Sequence, residues 1–273
     1  MLRMESETGW WLIKHPDHAR LAGAFAAAWG NALFRRPEPR ARVLKGIACH
    51  DDGWAVRDAH PSITREGRPS AFSTELVGKY SAFEEIDLEE YLSVRERAVR
   101  IIADEDPYAG LLISMHTYNL LTAHADRSTI APEGLKLLDA FLEKQRMYQG
   151  ELREAIAEDA SLTAIQKSEQ TILEHFRLLQ ACDNLSLLSC VAFASAADLL
   201  HPLPLHGGRT GEVRVTPIGQ RHFRLSPWPF AETELVFHFP ARHVEGRTFA
   251  SSSVLEKAFL AAKQEELGVT LTE

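Results

Sequence analysis

An aspartate stands in the most apolar part of this chain. Leu178, Leu179, Leu185, Leu187 and Leu188 flank Asp183, so a helix built here is apolar on most of its faces. Burying an unpaired carboxylate costs several kcal/mol, and the usual resolutions are a cation, hydrogen bonds or neutralisation. Any fold must therefore bring polar partners to Asp183 from elsewhere. His116 makes the same demand, since it lies within Leu-Leu-Ile-Ser-Met-His-Thr-Tyr.

The pattern around these residues is helical for most of the first 200 positions. A short aromatic strand is predicted at 9–14, then helices at 17–29 and 40–52, the second closed by Gly53 as a left-handed cap. Residues 54–86, with Pro61, Gly67, Pro69 and Gly78, read as a long loop of the kind that carries function. Asp87-Leu-Glu-Glu90 has the form of a capping box for a helix to 103, and Asp106-Pro107 starts another to 125. Amphipathic spacing predicts a helix at 132–158, and a last long one spans 161–199. After His201-Pro-Leu-Pro-Leu-His-Gly-Gly208 the period changes to two at 212–216, 222–225 and 234–239, the signature of an antiparallel meander. A helix at 252–266 and a short strand at 269–271 complete the tail. The expected fold is mainly α: a helical bundle over 1–200 with a β-rich extension over 201–273. If the N-terminal strand pairs with that extension, the two parts form one domain.

Composition excludes several classes. Thirty Lys and Arg against thirty-eight Asp and Glu leave a formal charge of −8, which disfavours nucleic acid or an anionic membrane as the main partner. Three cysteines (Cys49, Cys182, Cys190) without a CxxC spacing make no disulfide framework. The N-terminus lacks the order of a signal peptide, and Ser186, Ser189, Ser195 and Asp198 break the apolar run at 185–200. A cytoplasmic protein is the expectation.

Within the helical part, ligand-type residues follow one another as His18, His50-Asp51, His116 and Asp183. Imidazoles and carboxylates in this proportion suit a borderline divalent metal such as Fe, Mn, Co, Ni or Zn, and ligands from separate helices can converge in a bundle core. The order His…His-Asp…Asp resembles the HD superfamily of metal-dependent hydrolases. The resemblance implies an HD-like helical bundle with His18, His50, Asp51 and Asp183 as metal ligands; His116 fills the place of an additional histidine found in many members. More narrowly, Asp17-His18-Ala-Arg-Leu-Ala-Gly23, His50-Asp51-Asp-Gly-Trp54 and Gln180-Ala-Cys-Asp183 look like an uncharacterised bacterial family related to HD proteins. The helical insertion between Asp51 and Asp183 is longer than in compact members.

The implied activity is phosphohydrolysis of an anionic small molecule, a phosphate ester or nucleotide, by a metal-bound hydroxide at one or two ions. Asp51 would bridge the ions if there are two, with His116 on the second or at the leaving group. Asp52 would orient an imidazole from outside, and Arg20, Lys45, Arg57 and Arg65 are the candidate phosphate holders. Two rival readings stand beside it: a di-iron oxygenase, and a sensor or binding protein that keeps the site without turnover. The separate residues also have plain readings. His18 alone is a capping or surface histidine, His50-Asp51 a solvated helix end, and His116 a satisfied core histidine, while Asp183 alone is a hydrogen-bonded buried carboxylate. His15, His124, His175 and His201 read as surface or structural. The β-rich tail carries no readable chemistry; capping the bundle or a homodimer contact are its expected uses.

Overall fold

Two strands open the chain in the computed structural model, which describes residues 1–77 and 87–273. β1 (Leu2–Glu5) and β2 (Gly9–Ile13) form a hairpin, and seven strands follow: β3 (Ala197–Asp198), β4 (Leu203–Pro204), β5 (Thr210–Gly211), β6 (Arg214–Gly219), β7 (His222–Ser226), β8 (Glu234–Glu245) and β9 (Gln264–Thr272). β4 and β5 make a small ribbon, and the others form one sheet in the order β1-β2-β8-β9-β7-β6-β3. Every neighbour in that sheet is antiparallel except β7 and β9. β2 does join the C-terminal strands, from Gly9 opposite Glu245 to Leu12 opposite Arg242. A mainly α description understates this sheet, and the architecture is mixed α/β.

Eight α-helices are described: α1 (His15–Ala28), α2 (Arg40–Ala48), α3 (Ala55–Asp58), α4 (Leu88–Glu105), α5 (Pro107–Asn119), α6 (Pro132–Glu158), α7 (Glu169–Cys190) and α8 (Ser252–Ala261). Their starts follow the capping chemistry. Asp87 accepts the Glu90 N–H, Asp106 accepts those of Tyr108 and Ala109, and Ser168 accepts that of Thr171. α5 is buried nearly all round, as its uniformly apolar sequence requires. It packs on α2, α4, α6 and α7, while α1 packs on α2, α7 and the inner face of β8. Phe25 meets Phe237 edge-on with ring centres 4.8 Å apart, seating α1 on the sheet.

Several predicted boundaries move. α2 stops at Ala48, and the chain turns through Cys49, His50 and Asp51 into a short 3₁₀ turn at Asp52–Trp54. The helix predicted at 161–199 covers only Glu169–Cys190, because Ser168 caps a fresh start and Ala192 takes a left-handed φ of 50° that reverses the chain. Residues 264–266, predicted to end a helix, belong to β9, where pairing with the long β8 overrides their weak strand preference. In the predicted loop, residues 55–58 are helical, and its end at 78–86, with Gly78, lies outside the described residues.

Candidate metal centre

Helices α1, α2, α5 and α7 pack on one another, and the five sequence-predicted ligand residues meet where they touch. His18 shares the buried stripe of α1 with Ala22 and Phe25. His50 and Asp51 sit in the turn after α2, His116 near the end of α5, and Asp183 midway along α7. Two glycines set the spacing. A Cβ on Gly23 would stand 2.6 Å from the Ala48 Cβ, so its absence lets α1 and α2 close on each other. A Cβ on Gly53 would stand 2.3 Å from the Val94 carbonyl oxygen of α4. Gly53 is therefore not the left-handed helix cap the sequence suggested; it permits a close backbone approach that brings α4 against Asp51.

All five residues are buried, Asp183 being the most accessible at 7%. His18 Nε2 lies 3.1 Å from Asp51 Oδ2, and His50 Nε2 lies 3.2 Å from Asp183 Oδ1 and 3.9 Å from Asp51 Oδ2. His116 Nε2 is 3.8 Å from Asp183 Oδ2. The His50 ring stands between the other two, its centre 5.2 Å from each at steep angles.

Hydrogen bonding fixes which ring nitrogens face the carboxylates. His50 Nδ1 donates to the Ile47 carbonyl at 2.7 Å, so in the neutral ring the lone pair is on Nε2, facing Asp183. The Ser186 hydroxyl donates to the Asp183 carbonyl at 2.8 Å, so its oxygen accepts from His18 Nδ1 at 2.9 Å. His18 Nε2 then also presents a lone pair to a carboxylate. Two lone pairs facing two anions in a dry interior repel unless a proton or a metal lies between them. Donors about 2.0–2.2 Å from one ion are separated by roughly 3–4 Å, the spacing found here, and mixed imidazole and carboxylate donors suit a borderline divalent ion. The residues present fit such an ion. Among the described residues, two overlapping groups can hold one: His18, His50 and Asp51, and His50, His116 and Asp183.

The titration behaviour follows from the same arrangement. Burial disfavours the His50 imidazolium, yet the charges of Asp51 and Asp183 overcome it and push the pKa up to about 9. A proton on His50 thus supplies the positive charge the pocket lacks. Burial pushes His116 down to about 3, keeping it neutral. Burial would also raise Asp51, but the Arg95 guanidinium outweighs it and holds the carboxyl well below the usual carboxylate range. Asp183 is likewise lowered against its burial, through its hydrogen bond and charge interaction with His50.

Arg95 is the site residue that the sequence reading passed over. Its Nη1 donates to Asp51 Oδ1 at 2.5 Å and its Nε to the Tyr91 hydroxyl at 3.2 Å, and its guanidinium lies 5.3 Å from the ring centres of both Trp54 and Tyr91. The signal was available: Arg95 falls on the apolar stripe of α4 with Tyr91, Ala98 and Ile102, where a charge needs a buried partner. His15 was also misjudged as a surface residue. It stacks on Trp54 at 4.4 Å between ring centres, and its backbone N–H donates to Asp58 at 2.5 Å.

The four predicted phosphate holders stand apart from the five clustered residues, and none makes an ion pair with them among the described residues. Arg20 is exposed and pairs with Asp52, which therefore points to Arg20 rather than orienting an imidazole. Lys45 pairs with Glu105 and Arg57 with Glu90, while Arg65 is exposed in its loop. A cavity of about 660 Å³ lies away from the centre, walled in part by Arg3, Trp10, Arg68, Glu75, Ala192 and Arg247.

The fold and the centre define a mixed α/β protein with a buried His/Asp cluster able to hold a metal ion. The chain belongs to a family of proteins of unknown function (DUF3891), which matches residues 1–246. That span contains all five residues of the cluster, Arg95 and Ser186. No curated protein and no solved structure shows significant similarity to the chain. Among the described residues no helix is long and apolar enough to cross a membrane.

Proposed function

We propose that the His/Asp cluster holds a divalent cation and that the protein is a metal-dependent phosphohydrolase acting on an anionic phosphate ester, such as a nucleotide, with an HD-like helical arrangement around the metal. One observation carries the metal reading: two imidazoles, each locked by its Nδ1 hydrogen bond, aim their remaining lone pairs at two buried carboxylates. The order His18, His50-Asp51, Asp183 along the chain supports the hydrolase reading.

When bound, the cation supplies Lewis acidity, lowering the pKa of water and offsetting charge on an ester. His18, His50, Asp51 and Asp183 would hold it, with the Ile47 carbonyl and the Ser186 hydroxyl fixing the ring orientations. Arg95 fixes Asp51 through one oxygen and leaves the other for the cation. His116 keeps Nδ1 without a hydrogen-bond partner among the described residues, and burial holds the ring neutral beside Asp183. Arg57, anchored by Glu90 and the Trp54 ring, is the proposed substrate cation.

The burial of the cluster favours a second reading, a sensor or binding protein that holds the ion without turnover. Metal analysis of the purified protein, followed by a phosphatase panel with and without chelator, separates the two. Chelator-sensitive hydrolysis supports the first, stoichiometric metal without turnover moves the conclusion to the second, and absence of metal refutes both. Asp183→Asn should abolish metal retention and any activity together; full occupancy in that variant would show the ligand assignment to be wrong.

A further inference from the structure

Resting on the reading that the cluster takes a cation, we infer that it takes a single divalent ion per chain, because the guanidinium of Arg95 fills the place of a second one. The two overlapping groups share His50, so an ion in each as a three-residue site would have to share its ring. His50 Nδ1 is committed to the Ile47 carbonyl, so only Nε2 is free, and one lone pair serves one ion.

Bridging by a carboxylate meets a second obstacle. A two-oxygen bridge from Asp51 needs both oxygens available, and Oδ1 is held by Arg95 at 2.5 Å. Arg95 is itself fixed by the Tyr91 hydroxyl and packed on Trp54, so it is part of the wall rather than a movable arm.

Charge gives the same answer. Asp51 and Asp183 against Arg95 leave one negative charge, the neutral imidazoles adding nothing. One divalent ion brings the cluster to +1, a value an anionic ligand offsets. A second ion brings it to +3 inside walls where no member is more than 7% exposed. The centre therefore pairs one metal with one fixed organic cation, and the ligand class it accepts is an anion.

The test uses the full-length protein, stripped and reloaded with Mn²⁺, read by elemental analysis and electron paramagnetic resonance. One Mn²⁺ per chain with the hyperfine sextet of an isolated ion is expected. Two ions per chain, or an exchange-coupled spectrum, overturns this inference and leaves the metal reading standing. If neither Mn²⁺ nor Fe²⁺, Co²⁺, Ni²⁺ or Zn²⁺ binds, the metal reading fails and this inference falls with it. Arg95→Met should raise the count above one, while Arg95→Lys keeps it at one. A folded Arg95→Met protein that still takes one ion would remove Arg95 from the explanation. Should Arg95→Met not fold, the wild-type count and spectrum decide.

Discussion

Cation binding at the cluster should depend steeply on pH, through His50. Its Nε2 must lose a proton before it can coordinate, and with the pKa pushed up to about 9 only about 1% of the rings are free at pH 7. The apparent association constant should therefore rise about tenfold per pH unit, or about 100-fold between pH 6 and pH 8. At about 1.36 kcal/mol per unit, that is roughly 2.7 kcal/mol. His116, pushed down to about 3, contributes no proton in this range. Titration calorimetry in buffers of different ionisation heat should find close to one proton released per ion at pH 7. The cation-free protein carries the opposite sign. The folded pKa of His50 lies above the unfolded value of about 6.5, so its stabilisation is complete below pH 6.5 and is lost as pH rises through 9. About 2.5 units correspond to roughly 3 kcal/mol of lost stability, read by urea unfolding with chelator present. Affinity that stays flat from pH 6 to 8, with no proton release, would refute the placement of His50 between two carboxylates.

Three further outcomes follow from the geometry. Ser186→Ala removes the acceptor that orients His18 and should weaken metal affinity by about 10–100-fold in a competition titration, with the fold retained. Gly53→Ala forces a methyl into the α4 backbone at Val94, which should cost about 1–3 kcal/mol of stability in denaturant unfolding and weaken metal binding by displacing Arg95 from Asp51. Arg57→Ala should raise KM for an anionic substrate with metal content unchanged, and unchanged kinetics would dismiss its role in substrate binding.

That these residues cluster was legible because two of them, Asp183 and His116, are chemically out of place. An aspartate among leucines and a histidine inside an apolar helix need partners, and their order along the chain pointed to shared partners. Arg95 was harder to read, since an arginine on an amphipathic helix ordinarily marks the solvated face, and only its register with Tyr91, Ala98 and Ile102 places it inside. Ser186 was invisible for another reason: a serine in an apolar helix usually satisfies itself on its own backbone, as it does here, and its second bond to His18 is a tertiary fact. The sheet was under-read at both ends. Leu2–Glu5 is short and mixed in character, and Gln264–Glu266 is too polar to suggest a strand until β8 is there to pair with it. His15 misled because it sits at a strand-to-helix turn, where histidines are commonly solvated; Trp54 and Asp58 come to it from 39 and 43 residues away.

The pairing of Gly9–Leu12 with Arg242–Glu245 has a consequence for biosynthesis. His18 lies in the first turn of a helix that follows directly on a strand, one of whose hydrogen-bonding neighbours leaves the ribosome some 230 residues later. His18 is therefore made well before the sheet on which its helix packs is complete. Long-range closure of this kind slows folding, and it ties completion of the sheet beneath α1 to synthesis of β8.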